Sequence, residues 1–253
     1  MKYALLPFRI IYSLYALCIF ILVMFLIIPF VVLALFWGRI KGGNFIYRLC
    51  CIWGDAWFFL VGIRHTNYYE VPHDKTKQYI FVANHDSYLD AAVIVKTIRQ
   101  KVRALGKSET SRVPLFGLIY RNAIVTVDRS SPENRAKSVR VLKSVLRKGI
   151  SIFIFPEGTF NTTHHPLKEF YDGAFRIAIE THTAIKPILF LDVYDRLNPR
   201  SIFSLTPGKS RSVFLDEISV ENITMKEVGA LKQKVYHIME EKLIQYRVSW
   251  ISS

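Results

Sequence analysis

Two short polar segments, each directly after an apolar run, carry residues whose types and spacing suit chemistry. The first is YIFVANHDSYLD, Tyr79–Asp90, in which Asn84 and His85 follow the apolar run and Asp90 stands five residues beyond the histidine. A carboxylate on one imidazole nitrogen fixes the tautomer and raises basicity at the other, an arrangement that activates a hydroxyl. On one continuous helix a five-residue step turns through about 500°, off a single face. The pair therefore works only if His85 sits in a loop and Asp90 in the first turns of the helix after it. Asp86 or Ser87 is expected to cap that helix. Ser87 also admits a hydrolase reading with a serine nucleophile, but no G-x-S-x-G elbow surrounds it.

The second segment is SIFIFPEGTFN, Ser151–Asn161. Here an apolar run ends in Pro156, Glu157, Gly158 and Thr159. Gly158 lets the backbone approach a ligand closely, and its amide with that of Thr159 is expected to bind an anion or oxyanion. In open α/β sheets ligands gather beyond the carboxyl ends of strands, which is where both segments would lie.

The elements needed to hold these turns are legible in the hydrophobic pattern. Strands are expected at Tyr79–Ala83, Val102–Leu105, Ala123–Val127, Ser151–Phe155, Ile185–Leu191 and Ser212–Leu215. Helices are expected at Tyr88–Ile98, Pro132–Arg147, Asp172–Glu180 and Thr224–Tyr246. Alternating strands and helices imply an α/β fold: a mostly parallel central sheet flanked by helices.

The N-terminal part differs. No charged residue occurs between Arg9 and Arg39, and as a helix this stretch would be about 43 Å long, more than a hydrocarbon core of about 30 Å. It is too long for a secretory h-region and no small-x-small cleavage site follows, so it is expected to stay attached. One helix from Leu5 to Trp37, kinked at Pro29, a turn at Gly42–Asn44, and an interfacial segment from Phe45 to Ile63 make an N-terminal helical membrane motif. Basic residues flank the long helix at both ends, which fits a hairpin dipping into one leaflet better than a simple crossing. The polar stretch Asn67–Lys77 marks the boundary, giving a membrane-associated segment, residues 1–66, and an α/β domain, residues 67–253.

Composition narrows the partners. With 34 Lys and Arg against 20 Asp and Glu, the formal charge is +14. Beside an apolar segment, this excess points to anionic membrane lipids or an acidic carrier protein. No nucleic-acid-binding motif or basic tail is present, so no nucleic acid is expected as a partner. Cys18, Cys50 and Cys51 form neither a disulfide framework nor a zinc motif, and adjacent His164 and His165 lack a ligand set; no metal and no other cofactor is expected.

At these residues the sequence resembles the glycerolipid acyltransferase family, typified by 1-acylglycerol-3-phosphate acyltransferases. The first family block, Asn-His-x4-Asp, matches Asn84, His85 and Asp90. The second resembles Lys107-x-Glu109, Pro114-x-x-Gly117 and Asp128-Arg129, the third Phe155-Pro156-Glu157-Gly158-Thr159, and the fourth Ile185-Lys186-Pro187-Ile188. The resemblance implies a membrane-bound enzyme that moves an acyl group from acyl-CoA or acyl carrier protein to the free hydroxyl of a lysolipid acceptor, with the catalytic domain on the cytoplasmic face. It implies His85 as general base, Asp90 as the group that orients it, and Asn84, Lys107, Arg129, Glu157, Gly158 and Thr159 as substrate-binding residues. Two departures remove positive charge: Phe160 replaces the family's arginine, and Phe170-Tyr171-Asp172-Gly173 replaces Phe-Lys-x-Gly. Lysophosphatidic acid, another lysolipid such as an amino-acid lipid, and a non-catalytic lipid-binding role therefore all stay open.

Overall fold

A computed structural model describes residues 6–127 and 132–251. Two helices come first, α1 (Leu6–Leu35) and α2 (Gly43–Leu60), joined by a π-helical turn at Gly38–Gly42. The helix α1 runs through Pro29. Its residues Ala16, Val23, Ile27, Val31 and Ala34 are buried at helical spacing, while Phe8, Ile11, Leu22, Leu26 and Leu33 stay exposed. The buried stripe packs on α2, whose Trp53 and Trp57 indoles donate to the Phe20 and Ala16 carbonyls at 3.0 and 2.7 Å. Gly42 permits the tight turn, since a Cβ there would stand 2.1 Å from the Ala34 carbonyl oxygen.

The rest is a seven-stranded sheet in the order β1-β7-β6-β2-β5-β3-β4. The strands are β1 (Ile63–Tyr69), β2 (Ile80–Ala83), β3 (Val102–Lys107), β4 (Ile124–Val127), β5 (Ser151–Ile154), β6 (Ile185–Phe190) and β7 (Gly208–Phe214). The run β6-β2-β5-β3-β4 is parallel throughout, and among the described strand pairs only β6–β7 is antiparallel. Helices α3 (Asp90–Thr97), α4 (Phe116–Ala123), α5 (Pro132–Leu146), α6 (Gly173–Thr181), α7 (Val193–Arg196) and α8 (Val228–Gln245) complete the chain. Strands β2 and β5 are buried on both faces, as central parallel strands require, and their uninterrupted apolar runs follow from that. The expected mostly parallel, helix-flanked sheet is the fold observed.

Several expectations change. Ile63, expected in the interfacial segment, opens β1, which crosses the 66/67 boundary and pairs in parallel with β7. The strand escapes a hydropathy reading because its inward positions after Ile63 are the polar His65 and Asn67. They are satisfied by side-chain bonds: His65 meets Ser210 Oγ at 3.0 Å and Asn67 Oδ1 at 2.9 Å, and Asn67 Nδ2 donates to the Thr97 carbonyl at 3.1 Å. The helix α3 starts at Asp90 rather than Tyr88, and α4 and α7 were not anticipated. Gly117 in α4 answers to close packing, because a Cβ there would lie 2.2 Å from the Ser111 carbonyl oxygen.

Candidate active site

Because β2 and β5 are parallel neighbours in register, with Val82 beside Ile154, their carboxyl ends open on the same rim. Past β2 the chain leaves the sheet as a loop, and α3 begins five residues after His85. This is the geometry that lets the pair meet: His85 Nδ1 lies 2.8 Å from Asp90 Oδ2. The same carboxylate oxygen accepts the backbone N–H groups of Asp86 and Ser87 at 2.9 and 3.0 Å. Asp90 thus sits at the helix start, where an anion is favoured, and reaches back to tie the loop. Neither Asp86 nor Ser87 caps α3 through its side chain; the carboxylate from inside the helix organises the loop. With Nδ1 donating to Asp90, the lone pair resides on Nε2. The His85 side chain is 20% exposed, whereas that of Asp90 is 1% exposed.

The turn after β5 grips the backbone of that histidine. Glu157 Oε1 accepts the His85 N–H at 2.9 Å, and the Asn161 N–H donates to the His85 carbonyl at 2.6 Å. Glu157 Oε2 accepts the Lys168 N–H at 2.8 Å. Its carboxylate is therefore buried and committed to two backbone amides, a bracing position rather than the substrate-facing one expected. Asn84 is likewise enclosed. Its amide group donates to the Phe190 carbonyl at 2.9 Å and to Asp86, and its oxygen accepts the Phe190 N–H at 2.8 Å. Asn84 locks the end of β2 to β6 and presents nothing to solvent.

The remaining expectations divide. Gly158 has φ +72°, a conformation that disfavours any side chain, which explains a glycine there. Its N–H donates to the Phe155 carbonyl at 3.1 Å, so that amide is not the oxyanion donor expected. Thr159 is exposed, and its hydroxyl accepts from Lys168 Nζ at 2.7 Å. Lys107 is exposed at the carboxyl end of β3, on the same rim as the turns after β2 and β5. Arg129 and Asp128 lie outside the described residues. Ser87 is buried; its hydroxyl donates to the Leu197 carbonyl at 2.5 Å and accepts the Leu89 N–H at 3.0 Å, a bracing role that leaves no free nucleophile.

Three carboxyl groups, Asp86, Asp90 and Glu157, are buried together behind one imidazole. Burial is the largest influence on each and disfavours its charged form. Burial, then the neighbouring Glu157 and Asp90, hold Asp86 well above the ordinary range, with the Asn84 amide pulling the other way. Burial raises Asp90 while the His85 bond and two loop amides oppose the rise. Glu157 is pushed up to about 8 by burial, against the pull of the Lys168 and His85 amides.

The wall around the imidazole is aromatic. Phe155 stacks on His85 with centroids 3.9 Å apart, and Phe160 meets it edge-on at 4.5 Å and contacts Tyr88 at 4.7 Å. In the sequence Phe160 stands out only as a missing arginine, and Phe155 only as the end of an apolar run and the start of the third block; neither they nor Asn161 carry a mark of contact with His85. The signal for Phe155 was its place as the last apolar residue of a strand ending level with β2. For Asn161 no signal was available without the fold.

The profile of the family described as Acyltransferase matches residues 62–191, just over half of the chain. A 1-acyl-sn-glycerol-3-phosphate acyltransferase of Haemophilus influenzae is 26% identical over 184 residues, covering 70% of this chain and 74% of the relative. The mouse 1-acyl-sn-glycerol-3-phosphate acyltransferase alpha is 27% identical over 166 residues, covering 65% of this chain and 58% of its own length. The crystal structure of the 1-acyl-sn-glycerophosphate (LPA) acyltransferase, PlsC, from Thermotoga maritima shares the fold, with a TM-score of 0.73 at 20% identity over 96% of this chain and 100% of that one.

Proposed function

The chain belongs to the acyltransferase family, and from that premise we propose that it moves a fatty acyl group from a thioester donor to the free hydroxyl of 1-acylglycerol-3-phosphate, giving phosphatidic acid. The observation that carries this reading is the 2.8 Å bond between His85 Nδ1 and Asp90 Oδ2, with Nε2 left as the basic nitrogen. In the proposed step, His85 Nε2 removes the acceptor's hydroxyl proton as its oxygen attacks the thioester carbonyl. The tetrahedral intermediate collapses by expelling the thiolate, and protonated His85 returns the proton to that sulfur. Asp90 stabilises the imidazolium and holds the ring in place without itself taking the proton. General-base assistance of this kind contributes about 10²–10⁴-fold. No covalent acyl-enzyme is required, consistent with the enclosed Ser87 hydroxyl. The donor is taken to be acyl-CoA or acyl carrier protein, met on the cytoplasmic face, and Lys107 and Arg129 are proposed to serve the acceptor phosphate.

We read the N-terminal hairpin as lying in one leaflet. The helix α2 packs between α1 and the α/β body while keeping an exposed stripe: its Tyr47 hydroxyl donates to the Ile98 carbonyl at 2.9 Å, and its exposed Asp55 pairs with Lys96 and Arg99 at 2.5 and 2.6 Å. A bilayer crossing by α1 would draw those charged partners into hydrocarbon, which is costly. An in-plane seat, with the exposed apolar side of α1 in the leaflet, avoids that cost. This arrangement suits an enzyme drawing lysolipid from the membrane.

A second reading, acylation of another lysolipid, draws on one observation: Phe160 packs edge-on against His85 where the family carries an arginine. Acyl transfer by purified protein, crossing CoA and carrier-protein thioesters with a panel of lysolipids, tests both readings. Indifference to lysophosphatidic acid would remove the first, full activity in His85→Ala would remove the mechanism, and lipid binding by the wild type with no acyl transfer to any acceptor would favour a non-catalytic lipid-binding role.

A further inference from the structure

Between α7 and β7 the chain makes two consecutive tight turns. The Ser201 N–H donates to the Asn198 carbonyl at 3.1 Å, and the Ser204 N–H donates to the Ser201 carbonyl at 3.2 Å. The first turn has Pro199 and Arg200 at its corners, residues that suit an exposed turn. The second has Ile202 and Phe203, which are 58% and 42% exposed. Corner positions favour Gly, Pro, Asn, Asp and Ser, so two bulky apolar residues there run against turn chemistry.

Local bonds fix this display. Ser204 Oγ accepts the Asn198 N–H at 2.9 Å and donates to the Ser201 carbonyl at 2.6 Å, and Asn198 Oδ1 accepts the Arg200 N–H at 3.0 Å. The loop is also tied to the hairpin. Leu205 is buried in the same apolar cluster as Ala16 of α1, and its N–H donates to Ser13 Oγ at 3.2 Å. Around Ser13, at helical neighbour positions, stand exposed Arg9, Ile10 and Leu17. The turn thus continues the apolar surface of α1, with exposed Arg9, Arg200 and Lys209 close to it in the chain or on the helix.

From this geometry we infer that the Ser201–Ser204 turn is a second membrane-penetrating element, seating Ile202 and Phe203 at the acyl boundary of an anionic leaflet while Arg9, Arg200 and Lys209 meet its headgroups. The inference rests on the in-plane membrane reading above. Apolar side chains supply insertion, and cations near the surface add attraction to anionic lipid. The turn would fix how the body tilts on the bilayer, which a single helix lying in the plane does not.

The test uses the full chain on phosphatidylcholine vesicles with and without phosphatidylglycerol. In Phe203→Trp, the emission added over the wild-type tryptophans should be quenched by acyl-brominated lipid, whereas that added by Ile244→Trp, on an exposed face of α8, should not. The double variant Ile202→Ser, Phe203→Ser should partition about tenfold more weakly onto the anionic vesicles, with unchanged turnover of a monomerically soluble short-chain lysolipid. If the wild type does not float with vesicles at all, the underlying membrane reading fails. If it floats but the added emission escapes quenching, the turn is not inserted and the inference is overturned. Vesicle binding that is unchanged in the double variant, with a raised KM for the carrier-protein thioester, would instead identify a protein-docking turn and overturn it equally.

Discussion

The turns after β2 and β5 leave neighbouring strands on the same rim, and each contains a buried acid, yet they direct their polar groups oppositely. After β2, Asp90 supports an imidazole whose other nitrogen remains basic and partly exposed. After β5, Glu157 turns inward and holds the backbone N–H groups of His85 and Lys168. Both acids are almost wholly enclosed, and in the proposed reaction neither touches substrate. What separates them is one further partner: Asp90 adds to its two loop amides a side chain that changes protonation during turnover, whereas Glu157 meets fixed amides from two segments. A carboxylate facing amides is a brace; one facing an imidazole tunes a base.

The largest expected effects break the first turn. His85→Ala should lower kcat by about 10²–10⁴-fold with little change in acceptor KM. Asp90→Asn should approach the same loss, because an amide there no longer selects the Nδ1–H tautomer. Steady-state kinetics on purified protein read both, and a loss confined to KM would mean that the pair binds the acceptor instead of activating it.

Why one turn is readable from sequence and the other only half so follows from the same contrast. An imidazole with a carboxylate five residues away, after an apolar strand, has few purposes, and the loop-then-helix geometry follows from helical rotation alone. The parallel core strands are legible because burial on both faces forces unbroken apolar runs. The direction in which Glu157 points is not legible, since it depends on where His85 and Lys168 amides arrive from other parts of the chain. Asn84 misleads for the same reason, as its amide is matched by Phe190, more than a hundred residues downstream. The edge strand β1 hides because hydrogen bonds from His65 and Asn67, rather than apolar burial, pay for its inward side.

Glu157→Gln tests the brace. The glutamine amide nitrogen would face an N–H donor, leaving a buried group unsatisfied at a cost of about 1–3 kcal/mol. Thermal unfolding should shift downward and kcat should fall as His85 loosens, while acceptor KM holds. A raised KM with unchanged stability would instead make Glu157 a substrate contact.

The same residue predicts a milder pH effect. Its folded pKa, about 8, lies above the ordinary carboxyl value, so over the intervening range the folded chain keeps a proton that the unfolded chain releases. Stability is then fully present below about 4.5, the unfolded value, and is lost as pH rises through about 8. Asp86 and Asp90, also raised, act in the same direction. Melting temperature followed across this window should decline less steeply in Glu157→Gln than in the wild type. Parallel slopes would show that Glu157 does not titrate there.

The smallest effect concerns the aromatic wall, where the two turns touch. Phe160 leaves the second turn and packs edge-on against His85 of the first, at the position where the resembled family pattern has an arginine, a side chain able to fork onto a phosphate. If headgroup choice is set there, Phe160→Arg should lower KM for lysophosphatidic acid by up to about tenfold, the scale of one charge-assisted hydrogen bond of about 1.4 kcal/mol. A lysolipid without a phosphate monoester should gain nothing. If Phe160 chiefly steadies the imidazole from the side opposite the carboxylate, the substitution should instead lower kcat for every acceptor alike. The ratio of kcat/KM between the two acceptors separates these outcomes, because loss of a shared base cancels in the ratio and a gained phosphate contact does not.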